Sequence, residues 1–203
     1  MPVVLLMKKK SGILIGAGLL TAIIGYAYIT HKKNKGAKGL DSVSKKILAR
    51  FSSNNKKLFD SLNPAVKTRF NNFIKDITNK GYAVILTSAY RSTANQKKQK
   101  EANPKNATPG FSTHEYGIGV DINLVKDGKW INKDSSNSDW IRTGIVDLAK
   151  KKYNFRWGGE FPKYHDPVHF DDGNRFKTPS LYAQALKQFG SPDKIRGNEL
   201  KLV

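Results

Sequence analysis

Residues Ser11 to Thr30, SGILIGAGLLTAIIGYAYIT, run for 20 positions without a charge, and this stretch restricts the folding of the chain more than any other. As a helix rising about 1.5 Å per residue it covers the roughly 30 Å hydrocarbon core of a bilayer. Lys8, Lys9 and Lys10 precede it, and His31, Lys32, Lys33, Lys35 and Lys38 follow. Lysines on both flanks favour an N-terminal transmembrane helix over a helix buried in a soluble core. A cleaved signal peptide is the alternative, since Gly25-Tyr26-Ala27 has the small-residue spacing of a cleavage site. Either reading sends the remainder across a membrane, while three lysines before and four after leave charge counting undecided about orientation. The chain divides accordingly into residues 1–30 (anchor or signal segment), 31–58 (basic linker and start of the domain), 59–190 (main domain) and 191–203 (C-terminal tail).

The 203 residues contain no cysteine, which excludes a disulfide scaffold, a thiol nucleophile, an iron–sulfur cluster and Cys-ligated zinc. Metal or acid/base chemistry therefore falls to His, Asp and Glu. Hydrophobic residues at 38% and aromatics at 10% suffice for a packed core. Seven lysines and no acid in residues 1–40 supply +7 of the net +20, leaving +13 for residues 41–203. Such a basic domain favours anionic partners, among them anionic lipid and the acidic polymers of a cell wall. Nucleic acid is not expected, because no binding motif for it is present and the apolar N-terminal segment directs the domain out of the cytoplasm.

Gly36 to Ser44 reads as a linker. Asn63-Pro64 caps a helix in which Val66, Phe70, Phe73, Ile74 and Ile77 share a face up to Gly81. Tyr82 to Tyr90 is a buried strand, and a short helix over Thr93 to Ala102 follows. Gly119 to Leu124 alternates, with Val120, Ile122 and Leu124 on one face and Asp121 and Asn123 on the other. Ser138 or Asp139 caps a helix whose Ile141, Ile145, Leu148 and Ala149 face the core, ending near Asn154. Phe155 to Trp157 and Val168 to Phe170 are short strands, and Thr178-Pro179 opens a last helix that stops at Gly190. Short connections between the late strands predict an α+β domain, a small antiparallel sheet with flanking helices.

Three of the four histidines fall in two segments, Ser112-Thr113-His114-Glu115-Tyr116-Gly117-Ile118-Gly119-Val120-Asp121 and His165-Asp166-Pro167-Val168-His169-Phe170. A carboxylate inside an apolar strand, as at Asp121, is costly unless paired or bound to metal. The glycines at 117 and 119 let His114 fold back toward it, and His169 on another strand can complete the set. Two imidazoles and one carboxylate form an open zinc site with a fourth position free for water. His114-Glu115 does not begin a helical His-Glu-x-x-His motif, because Ile118 stands where the second His belongs. Pro167 likewise separates His165 from His169.

Ser112-x-His114-x-x-Gly117-x-x-x-Asp121, followed by Asp166-x-x-His169 and preceded by Ser88-Ala-Tyr-Arg91-Ser92, resembles the M15 family of zinc peptidases acting on peptidoglycan, whose fold is shared with the Hedgehog signalling domain. The resemblance covers about residues 60 to 172. Trp157-Gly158-Gly159-Glu160 followed by Asp166-x-x-His169-Phe170 is similar to the endopeptidase branch, and Gly119 stands where Ala is common. The resemblance implies zinc held by His114, Asp121 and His169, with Asp166 as general base; taken by itself Asp166 could also cap a turn before Pro167. Arg91 would stabilise an oxyanion or hold a substrate carboxylate. Ser112 and Gln96 would touch substrate, and Tyr116, Trp157, Phe161 and Tyr164 would line a groove or pack in the core. The expected activity is hydrolysis of an amide bond of the peptidoglycan stem peptide, between L-alanine and D-glutamate. The alternatives are a D-alanyl-D-alanine carboxypeptidase and, in another class, a non-catalytic wall-binding module. The catalytic domain is expected on the cell-wall side of the membrane.

Overall fold

In the computed structural model, residues 39–202 are described; the uncharged Ser11–Thr30 segment lies outside them. Among the described residues no helix is long and apolar enough to cross a membrane. The first element, α1 (Ser42–Asp60), opens within the stretch read as linker. Asp41 caps it, accepting from the Ser44 N–H at 2.8 Å, and also accepts from the Asp127 N–H at 2.9 Å. Its buried positions include Ser44 and Asn55, polar side chains that hydropathy periodicity does not register. Asn55 donates to the Val84 carbonyl at 2.8 Å and accepts from the Leu86 N–H at 2.9 Å. That side chain thereby closes the outer edge of a strand.

The next helix, α2 (Pro64–Asn79), forms as the spacing predicts: Asn63 caps it, Pro64 opens it, and Val66, Phe70, Phe73, Ile74 and Ile77 are buried. Five strands then make one antiparallel sheet, β1 (Ala83–Ser88), β2 (Gly119–Lys126), β3 (Lys129–Ile131), β4 (Arg156–Trp157) and β5 (His169–Asp171). The order is β1-β2-β5-β4, with β3 paired to the far end of β2. β2 is the hub, its residues 121–125 paired to β1 and its residues 119–121 to β5. β3 was not anticipated; Asp127-Gly128, both at positive φ, form the two-residue turn that folds it back on β2.

Between β1 and β2 lie α3 (Thr93–Ala102) and a single turn, Thr113–Tyr116. After β3 the single helix expected through Asn154 is broken. α4 (Asn137–Arg142) is capped by Ser136, and Gly144 at φ 68° interrupts the chain before α5 (Ile145–Asp147) and the wider turns Leu148–Lys152. Trp140 is buried and Ile141 is 55% exposed, so the apolar face of α4 is displaced by one residue, while Ile145 and Ala149 are buried as expected. The last helix, α6 (Thr178–Phe189), ends at Gly190 as expected. Residues of the C-terminal tail pack back, with Ile195 and Leu200 buried and Asn63 donating to the Gly197 and Leu200 carbonyls at 2.6 and 2.9 Å.

An aromatic core fixes α2 to the sheet. Phe70 stacks on Phe155 at 4.6 Å between ring centres, and Phe73 meets Phe170 at 5.4 Å. Phe170 is fully buried, so its neighbours His169 and Asp171 must face the other side of β5.

Replacing Asn55 with Ala leaves a buried strand N–H and a carbonyl without partners, and should cost about 2–4 kcal/mol of unfolding free energy. Urea denaturation should show a lower midpoint with an unchanged m-value.

Candidate metal centre

Antiparallel register builds the site. Asp121 lies directly opposite His169, so the two side chains share a face. His114 comes from the Thr113–Tyr116 turn just before β2; its carbonyl accepts from the N–H groups of Arg91 and Gly117 at 3.1 and 3.0 Å. His114 Nε2 lies 3.2 Å and His169 Nδ1 2.8 Å from Asp121 Oδ1. One ligand atom from each of the three residues falls within 4.8 Å of the others, and among the described residues no other group of His, Asp or Glu converges so closely.

The remaining ring nitrogens are spoken for. His114 Nδ1–H donates to the Ala89 carbonyl at 2.6 Å, leaving Nε2 as the free acceptor. His169 Nε2–H donates to Asp171 Oδ2 at 2.8 Å, with Thr113 Oγ1 at 3.2 Å, leaving Nδ1 toward Asp121. Asp171 is in turn gripped by Arg156, Nε at 2.7 Å and Nη2 at 2.8 Å, and by the Gly173 N–H at 2.8 Å. This carboxylate–imidazole arrangement orients a metal-binding histidine and raises its basicity. Burial opposes charge on His169, but hydrogen bonds and charge from Asp121 and Asp171 outweigh it and raise the imidazole pKa to about 10. Burial likewise opposes the Asp121 carboxylate, yet His114 and His169 hold it far below the usual range. The donor chemistry fits a divalent zinc ion, which would take the place of the shared proton.

Arg91 follows β1, donating to Gln96 Oε1 at 2.9 Å and Ser88 Oγ at 3.2 Å. Gln96 is only 1% exposed and its Nε2 donates to the Ala107 carbonyl at 2.8 Å, so its buried amide holds Arg91 in place. Asp166 sits at the start of a turn: its N–H reaches the Gly158 carbonyl at 3.0 Å and its carbonyl accepts from the His169 N–H at 3.1 Å. Burial, then the negative charge of Asp121, push its carboxyl above the ordinary range. Two further titratable side chains of this segment are engaged elsewhere, Glu160 with Lys150 at 2.7 Å and His165 with Asn137 at 2.6 Å.

The expected groove aromatics separate. Phe161 lies 5.7 Å from the His169 ring, while Tyr164 is half-buried. Tyr116 is fully buried and donates to the Gly110 carbonyl at 2.6 Å. Trp157, also buried, donates to the Pro167 carbonyl at 2.8 Å and so pins the turn carrying Asp166. Ser112 is buried at the head of the His114 turn, where the Glu115 carboxylate accepts from the N–H groups of Ser112 and Gly110 at 3.1 and 2.8 Å. Space at Gly119 is occupied: a methyl there would lie 2.8 Å from Thr113 Oγ1 and 3.0 Å from His169 Cε1.

Asp171 and Arg156 were missed by sequence reasoning. The available signal was His-x-Asp on a strand, two residues that share a face.

A family model of the M15 peptidases, described as D-alanyl-D-alanine carboxypeptidase, matches residues 105–172. The chain is 30% identical over 124 residues to the peptidoglycan L-alanyl-D-glutamate endopeptidase CwlK of Bacillus subtilis (strain 168), covering 54% of this chain and 72% of that protein. Among solved structures it is similar to Serratia marcescens L-Ala D-Glu endopeptidase ChiX, with a TM-score of 0.44 and 19% identity over 57% of this chain and 84% of that one.

Asp171→Asn should weaken zinc affinity about 10- to 100-fold while the fold survives, the range for partners of metal-binding histidines. Chelator competition measures the affinity and circular dichroism the fold.

Proposed function

Because the chain belongs to the M15 family of peptidases, we propose that it is a zinc-dependent peptidoglycan hydrolase that cuts the stem peptide between L-alanine and D-glutamate. The observation that carries the reading is the convergence of His114, Asp121 and His169, with the outward nitrogen of each imidazole already hydrogen-bonded. The relative with 30% identity, named an L-alanyl-D-glutamate endopeptidase, supports the choice of bond. The description of the matching family model favours a second reading, removal of terminal D-alanine.

Zinc, when bound by these three residues, supplies the Lewis acidity that polarises the scissile carbonyl and lowers the pKa of the attacking water. The chain's own groups do the rest. Asp166 accepts the proton from that water and passes it to the leaving amine, and its raised pKa suits it to both transfers. Arg91, steadied by Ser88 and Gln96, presents its guanidinium to the developing oxyanion or to a substrate carboxylate. Arg156 and Asp171 keep His169 in one tautomer throughout. Anchoring by residues 1–30, the basic domain's adherence to anionic wall polymers, and its position on the cell-wall side belong to the same proposal.

Digestion of purified peptidoglycan, with the new termini identified by mass spectrometry, should reveal amino-terminal D-glutamate and carboxy-terminal L-alanine. Free D-alanine as the only product would move the assignment to the carboxypeptidase. Salt-sensitive binding without release of any fragment would leave a wall-binding module.

The residue roles are separable. His114→Ala should lose stoichiometric zinc, because two protein ligands do not hold the ion in an open site. Asp166→Asn should keep near-normal zinc while hydrolysis falls about 10²- to 10⁴-fold, the range for loss of a general base. Loss of zinc in Asp166→Asn would make Asp166 a ligand instead.

A further inference from the structure

Among the described residues five large hydrophobic side chains are exposed, and three of them meet at one place. Val43 and Phe51, 48% and 36% exposed, lie on α1, and Trp130, 40% exposed, lies on β3. Phe51 contacts Trp130 edge-on with 6.3 Å between ring centres, and Val43 Cγ1 lies 3.7 Å from where a Cβ on Gly128 would sit. Both helix residues therefore border the same β2–β3 hairpin. The face is tied together at one end: the Asp41 carboxylate accepts from the Asp127 N–H at 2.9 Å and from Ser44 Oγ at 2.5 Å. Beneath it, Leu40, Ile47 and Leu48 pack on Ala83, Ile85 and Val125.

Cations predominate around these side chains, Lys45, Lys46, Arg50, Lys126 and Lys129 outnumbering the acids Asp41 and Asp127. Lys45, Lys46 and Arg50 are exposed on α1, which carries no acid before Asp60. At the hairpin tip Asp127 is flanked in sequence by Lys126 and Lys129. A soluble polyanion would account for the cations but not for uncovered Val, Phe and Trp. A bilayer surface with anionic headgroups offers both phases, and tryptophan beside basic residues is the usual composition at that interface. α1 also begins only twelve positions after Thr30, the end of the uncharged segment, so a bilayer spanned by that segment lies within reach of a short tether. We infer that the Val43–Phe51–Trp130 face docks on an anionic lipid bilayer. The inference rests on the membrane reading of residues 1–30 for its tether and on the exposed face for its contact.

Trp130 makes the test direct, because the two other tryptophans, Trp140 and Trp157, are 0% and 2% exposed. The full chain is mixed with vesicles of phosphatidylcholine and phosphatidylglycerol, part of the phosphatidylcholine carrying bromine on its acyl chains. Bromine should quench about a third of the emission, the share of one tryptophan in three. Trp130→Phe should abolish that quenching while keeping zinc content, and Lys46→Glu with Arg50→Glu should reduce it about threefold or more. Flotation of the same mixtures separates the two readings. Flotation with no quenching difference between wild type and Trp130→Phe overturns the docking face and leaves the anchor standing. Failure to float overturns both. Trp130 that is shielded from aqueous iodide but untouched by bromine overturns the lipid contact as well, and assigns the cover to protein, either this chain's N-terminal segment or a second copy. Shielding of Trp130 by a glycerol-phosphate polymer with no bromine quenching in vesicles would overturn it in favour of a wall polymer.

Discussion

The imidazole of His169 is held between two carboxylates, and much of the structure serves to keep it there. Asp121 faces it across the β2–β5 pairing and Asp171 approaches along its own strand, each through a 2.8 Å hydrogen bond. In a buried position either carboxylate alone would carry a large desolvation cost. Together with Arg156 they form a network in which each charge has an opposite neighbour, and this is the condition under which buried charges persist.

That network depends on an apolar one behind the sheet. Phe170 alternates with His169 and Asp171 and enters the aromatic cluster of Phe73, Phe155 and Trp140. Because a strand sends successive residues to opposite faces, anchoring Phe170 sets the direction of both polar neighbours. The Arg69–Asp172 ion pair adds a second tie between α2 and the residue that follows β5. The ligand geometry is thus a property of the core, and a cavity in the aromatic cluster would loosen the site at a distance.

Residues around the centre divide between chemistry and support. Gln96 and Trp157 each have the composition of a substrate contact, yet both are buried with their polar atoms bound internally. Gln96 steadies Arg91, and Trp157 steadies the turn from which Asp166 projects. Thr113 fills the space that a methyl on Gly119 would take, while its hydroxyl borders both His169 and Asp171.

Much of this was legible in the residues themselves. The spacing of Val66, Phe70, Phe73, Ile74 and Ile77 specified a helix, the alternation through Val120, Ile122 and Leu124 specified a strand, and an acid inside that strand marked Asp121. These are local signals: one chain segment and one period suffice to read them. What α1 is, where the helix after Ser136 breaks, and which carboxylate stands behind His169 were decided only in three dimensions. Asn55 is buried because the β1 edge needs its hydrogen bonds, and the apolar Ile47 and Leu48 are only partly buried, so which face of α1 meets the sheet was settled in three dimensions. Trp140 takes the core position expected of Ile141 because Gly144 turns the chain and rotates the helix face. Arg156 reaches Asp171 because β4 and β5 pair in one register, and register is a relation between segments that neither segment encodes alone.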